Sequence, residues 1–204
     1  IAGEWDRVIT VYEVMQAQSE DAARKVELLG RMAEIEERRL SHQNAAFDIY
    51  GRALRVDPTN ADVLGQLERL AGETGHWPKL AALFASELEK IDDPRRQIDL
   101  LLRLGRVYEE ETEQVDEAVA TYRKAVDTDP ENRQALVALD RLYGRAQQWD
   151  ELAAIERREV GIASTDEQRT ALNFRLAQIY ELALMDLPKA VEAYREILVA
   201  DPAH

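Results

Sequence analysis

The sequence predicts an all-α fold, a helical solenoid, and three observations carry that expectation. Trp5, Trp77 and Trp149 recur at a fixed interval of 72 residues. The Asp-Pro pairs Asp57-Pro58, Asp129-Pro130 and Asp201-Pro202 keep the same interval. Ala, Leu, Glu and Arg dominate the composition, and these are strong helix formers. A unit repeated at this length must bury its apolar face on neighbouring copies, so the chain should stack in one direction.

Each 72-residue unit holds two related halves, and the helices follow in order. The chain enters at Gly3-Glu4-Trp5, which matches Gly75-His76-Trp77, so a helix with Val8, Val11 and Tyr12 is expected near 5–16. First helices of hairpins are then expected near 20–38, 60–73, 95–112, 132–146 and 166–184. Their partners should lie near 43–56, 78–90, 116–128, 149–161 and 188–200.

The stretch from Arg95 to Pro130 shows why. Leu101, Leu104 and Tyr108 share a helical face, with Gly105 where a neighbour must approach. Asp116 stands where it could cap the next helix. Ala118, Tyr122 and Ala125 form a narrow stripe with small residues for close packing. Asp129-Pro130 ends the helix, because proline cannot continue it and disfavours helix one residue earlier. Thr165 followed by Gln168 reads as a capping box opening a later helix.

The order Leu-x2-Leu-Gly-x2-Tyr, then Ala, Tyr, Ala and Pro, resembles the tetratricopeptide repeat (TPR) pattern. It recurs in Leu29, Met32, Ala33, Ala46, Tyr50, Ala53 and Pro58, and again in Leu176, Ala177, Tyr180, Ala190, Tyr194 and Pro202. Glu36, Asn173 and Ile197 depart from it. The other half of each unit is a more divergent copy: Leu64, Leu67, Ala71, Trp77, Leu80 and Phe84, then Leu136, Leu139, Tyr143, Trp149 and Leu152, with Glu156 where Phe84 stood.

The resemblance implies a right-handed superhelix of TPR hairpins with repeats over 19–58, 59–93, 94–130, 131–164 and 165–204, preceded by the second helix of a further repeat over 1–18. A frame that enters in the middle of a repeat and leaves at Asp201-Pro202, just where another first helix would follow, predicts a segment of a longer protein, similar to the long tandem-TPR proteins of bacteria.

The resemblance also implies function: a non-catalytic protein-interaction scaffold presenting a concave groove, with end-to-end self-assembly as the alternative. In such a solenoid the first helices line the groove. There this chain places Arg31, Arg69, Arg103, Arg106, Arg141, Arg145 and Arg175. A guanidinium column could pair with carboxylates of a partner. Alternatively each Arg pairs with an acid on its own or the next helix, as Arg106 could with Glu110. TPR domains that clamp a C-terminal carboxylate need cations where Asp99 and Leu102 stand, and only Arg103 fits, so an internal acidic segment is the expected ligand.

Several classes are not expected. A net charge of −14 disfavours nucleic acid and anionic membranes. No apolar run reaches the roughly 20 residues of a membrane span. With no cysteine, thiol catalysis and thiolate metal sites are out, and the redox compartment cannot be read, leaving cytoplasm ahead of periplasm. His42, His76 and His204 are dispersed, with His76 read as a solvated turn residue. The runs Glu109-Glu110-Glu111 and Glu36-Glu37 read as solvated faces, and Met15, Met32 and Met185 as core fillers. No catalytic, cofactor or metal residue is therefore expected.

Overall fold

The computed structural model describes residues 2–200, which form eleven α-helices and, among the described residues, no strand. Asp201-Pro202 and His204 lie outside the described residues. The chain divides into two compact units, residues 1–113 and 114–204.

The first unit holds α1 (Ala2–Gln18), α2 (Ala22–Arg38), α3 (Gln43–Val56), α4 (Ala61–Thr74), α5 (Trp77–Leu88) and α6 (Pro94–Arg106), the last closing through Val107–Glu111. The second holds α7 (Val115–Thr128), α8 (Arg133–Ala146), α9 (Trp149–Ile162), α10 (Asp166–Gln178), which closes through Ile179–Ala183, and α11 (Leu187–Ala200). Every expected helix is present. Within each unit each helix packs on its neighbours in sequence, the hairpin order of an all-α solenoid.

The ends of these helices follow a rule with the same 72-residue interval. Each first helix has a side-chain N-cap: Asp21, Asp93 and Thr165 in one half-repeat, Asn60 and Asn132 in the other. Each satisfies a backbone N–H that the helix itself leaves unpaired. The expected box at Thr165 forms with a shift: Thr165 accepts from Gln168 N at 3.2 Å, while the Gln168 side chain reaches back to Ser164 N. Second helices α3, α5, α7 and α9 have no such cap. In particular, α7 begins at Val115 behind Gln114, so Asp116 lies in the first turn and not at the cap. There its charge complements the helix dipole.

C-terminal ends alternate too. Gly75 and Gln147 adopt left-handed backbone, with φ of 72° and 54°, and close α4 and α8 tightly. Ser41, Glu113 and Met185 do the same one half-repeat away. There the closing turn is wider: Leu40 N bonds Ile35 O, Thr112 N bonds Val107 O and Leu184 N bonds Ile179 O, each across five residues. Four of these five positions carry a Cβ that disfavours the left-handed region by roughly 1–2 kcal/mol. Gln147→Gly should therefore raise stability by about 0.5–1 kcal/mol, less than the full strain because glycine also loosens the unfolded chain. A urea midpoint equal to or below that of the parent would show that Gln147 bears no strain.

Packing follows the apolar stripes. In the first unit Leu29, Met32, Phe47, Leu64, Leu67 and Phe84 form one buried core. In the second, Ala153, Leu176, Ala177, Tyr180, Ala190 and Ala193 cluster between α9, α10 and α11. Ala46, Ala118 and Ala190 are buried, as is Gly105. The Trp77 ring lies over Gly72, where an added Cβ would meet it at 3.4 Å. The Arg39 guanidinium lies 5.2 Å from the centre of the Trp5 ring. Arg52 of α3 grips Glu13 of α1 with two hydrogen bonds, 2.7 and 2.8 Å.

Two readings need correction. His76 is not simply solvated: it is half-buried, tilted against Phe47, with Nδ1 2.7 Å from the Thr74 hydroxyl. Of the methionines only Met32 is a core filler. Met15 is exposed, and Met185 is 75% exposed at the left-handed turn before α11, where the backbone aims it outward.

Candidate partner-binding face

The expected arginines lie on first helices: Arg69 on α4, Arg103 and Arg106 on α6, Arg141 and Arg145 on α8, Arg175 on α10. The structure shows what holds most of them. Arg69 of α4 pairs with Glu37 of α2 at 2.7 Å and with Glu73 at 2.8 Å. Arg103 and Arg106 of α6 share Glu68 of α4, each at 3.0 Å, and Arg103 also holds Asp99 at 2.9 Å. Arg175 of α10 holds both oxygens of Asp140 of α8, at 2.9 and 3.1 Å. Arg31 pairs with Glu27 at 2.6 Å on its own helix.

Within each unit an acid on one first helix thus holds an Arg on the next, a ladder of ion pairs over α2, α4 and α6 in the first unit and over α8 and α10 in the second. Arg106 takes this route and not the Glu110 route, because Glu110 lies in the widened turn 107–111. Arg141 is exposed and engaged, whereas Arg145 is exposed and makes no ion pair among the described residues. Partly exposed pairs of this kind each contribute at most about 1 kcal/mol and weaken with salt. A double-mutant cycle on Glu68 and Arg103 should return a coupling of about 0.5–1 kcal/mol at low salt, shrinking as salt rises. No coupling at low salt would make the ladder geometry without energy.

In the second unit the ladder meets a carboxylate cluster. Asp140 of α8 and Glu156 and Glu159 of α9 bring their oxygens within 4.8 Å of one another. Glu156 is fully buried, and neither of its oxygens has a hydrogen bond of good geometry. Among the described residues its counter-charge is Arg175, 2.6 Å from Oε1. Burial pushes the Glu156 carboxyl up to about 8, with Asp140 and Glu159 adding to the rise and Arg175 opposing it. Glu159 is also raised, by burial and then by Asp140.

Beside this cluster lies an open cleft of about 290 Å³ between α8 and α10, floored by the end of α9. Val137, Leu172, Ala171, Ile162, Ala163 and Glu159 line it. Val137 is 55% exposed. Arg133 sits on the rim, tied to Ile162 O at 3.1 Å and Ser164 Oγ at 2.6 Å. The sequence reading missed this cluster. Its one signal was Glu156 standing at the place of Phe84.

The tetratricopeptide repeat family profile matches residues 98–132. No curated protein matches the sequence. Among solved structures, YrrB, described as a TPR protein with an unusual peptide-binding site, superposes with a TM-score of 0.51 at 16% identity, covering 94% of this chain and 92% of its own. MamA from Desulfovibrio magneticus RS-1 gives a TM-score of 0.48 at 15% identity, covering 88% of this chain and 96% of its own. Among the described residues no helix is long and apolar enough to cross a membrane. TPR repeats serve generally as protein-interaction scaffolds. Residues 98–132 thus match a tetratricopeptide repeat, and the hairpin order of the helices and the signature residues recurring along the chain support the same family for the rest of it.

Proposed function

We propose that this chain is a non-catalytic scaffold that presents the faces of its first helices to a protein or peptide partner. The observation that carries the reading is the open cleft between α8 and α10, with apolar walls and charged groups at its inner end and rim. Such a combination suits a peptide: the walls bury a side chain and the charges fix register. The peptide-binding site ascribed to YrrB, which shares this fold, supports a peptide as the ligand class. The reading assigns no catalytic, cofactor or metal role.

The arginines enter this reading with a condition. A partner carboxylate at Arg69, Arg103, Arg106 or Arg175 must exchange with Glu37, Glu68 or Asp140, which already hold them. Arg145 needs no exchange among the described residues. Arg141 and Arg145, one turn apart on α8, are the first pair to reverse to Glu in a binding assay.

Self-assembly through the ends is a second reading, favoured by one observation. Val11 and Val14 on α1 and Leu198 and Val199 on α11 are exposed, with Val199 at 78%. Panning a random peptide library, together with sedimentation equilibrium, separates the two. Enriched peptides that bind a monomer one-to-one support the scaffold. Mass that climbs with concentration, without peptide enrichment, supports assembly and overturns it.

A further inference from the structure

The two units offer an internal comparison at the acidic cleft. Shifting the first unit by 72 residues sets Glu68 on Asp140, Glu87 on Glu159 and Arg103 on Arg175. Among the positions that differ, Phe84 becomes Glu156, Lys90 becomes Ile162 and Ile91 becomes Ala163, and in the cleft wall Gly65 becomes Val137 and Asp99 becomes Ala171.

In the first unit Glu87 is fully buried, and one of its oxygens, Oε1, is paired from within while Oε2 has no hydrogen-bond partner. Lys90 Nζ lies 2.7 Å from its Oε1, and Ile91 is buried beside it. α5 stops at Leu88, which lets Lys90 turn back onto the acid. In the second unit α9 runs on to Ile162, so no ammonium returns. Glu159 makes no ion pair or hydrogen bond among the described residues, and Glu156 adds a buried carboxylate whose Oε2 has no partner. Ala163, smaller than Ile91, stands in the wall of the cleft that opens there. The second unit therefore keeps the acid, adds another, and lacks the lysine.

We propose that the α8–α10 cleft binds a lysine side chain of a partner peptide, the ammonium reaching Glu159 as Lys90 reaches Glu87, and the lysine stem lying along Val137 and Leu172. A lysine fits better than a guanidinium, because its methylene stem suits apolar walls and its ammonium is a compact charge. A divalent ion is the poorer fit: Arg175 already stands against Asp140 and Glu156, where such an ion would coordinate. Arg133 opposes any cation from the rim, but the Ile162 carbonyl and the Ser164 hydroxyl hold it there.

The inference rests on the scaffold reading and names the residue that the cleft selects. The test uses pools of blocked heptapeptides with the central residue fixed as lysine, norleucine or glutamate, titrated into the isotope-labelled chain. The lysine pool should shift the amides of Glu159, Ile162, Ala163, Ala171 and Leu172 at concentrations about tenfold below those the norleucine pool requires. Ile162→Lys should remove that binding by supplying the ammonium internally, and Glu159→Gln should weaken it about tenfold. Equal binding of the norleucine or glutamate pool overturns the proposal, as does lysine binding that survives both substitutions. Saturable shifts of the same amides with calcium or manganese ions, lost in Glu159→Gln, would make this a metal site instead. If the pools bind on other first helices and leave the cleft unshifted, the lysine assignment fails and the scaffold stands. If no pool binds anywhere, the scaffold fails with it.

Discussion

Glu156→Phe should raise the stability of this protein at pH 8 by about 1–4 kcal/mol and flatten its pH dependence. The substitution restores what the first unit has at the equivalent place, where Phe84 is fully buried. It removes a buried carboxylate whose counter-charge among the described residues, Arg175, keeps Asp140 as a partner. The pH dependence of the parent follows from the raised titration of Glu156. Below its ordinary value of 4.5, folded and unfolded chains both carry the proton, and the full stability is present. As pH rises, the unfolded chain releases that proton while the folded chain keeps it until about 8. Stability is therefore lost across this window, with a slope of at most ~1.4 kcal/mol per pH unit. Urea midpoints should fall from pH 5 to pH 8 in the parent and much less in Glu156→Gln. A parent profile flat over that range would mean that Glu156 is ionised without penalty in the fold.

Leucine at Ala46 or Ala190 should cost about 1–3 kcal/mol each, because the added atoms have nowhere to go at a close helix crossing. Ala46 is fully buried on α3, which packs on α2, and Ala190 is 2% exposed on α11, which packs on α10. Ala118, fully buried on α7, should respond in the same way. Chemical denaturation reads the loss directly. An unchanged midpoint at any of the three would place that small residue away from the crossing.

The fold was legible because its signals are local and repeated. Leu101, Leu104 and Tyr108 mark a buried stripe at helical spacing, and Asp129-Pro130 marks a stop that no helix can pass. The widened turns at Val107–Glu111 and Ile179–Ala183 were not legible. Their left-handed residues, Glu113 and Met185, share a position with Ser41 after α2 and no chemistry, so no residue type announces them. Pairing of the arginines was half legible. Charge balance suggested neighbouring acids, but which acid depends on the closeness of successive first helices, and Glu68 lies 38 positions from Arg106.

The carboxylate cluster was hidden for a different reason. Asp140 and Glu156 come together only when α8 and α9 pack, and acids abound in the sequence. Reading one copy against another, and not each copy against the family pattern, exposes it. Glu156 for Phe84, Ile162 for Lys90 and Ala163 for Ile91 change the same place together. Where copies of a repeat agree, packing is the cause; where neighbouring differences converge on one cleft, function is the better account.

The scaffold reading is tested most directly by amide shift mapping with a peptide enriched from the random library. The account predicts that the shifted residues cluster on the first helices, α2, α4, α6, α8 and α10, and include the cleft between α8 and α10. Shifts confined to the second helices α3, α5, α7, α9 and α11 would contradict it.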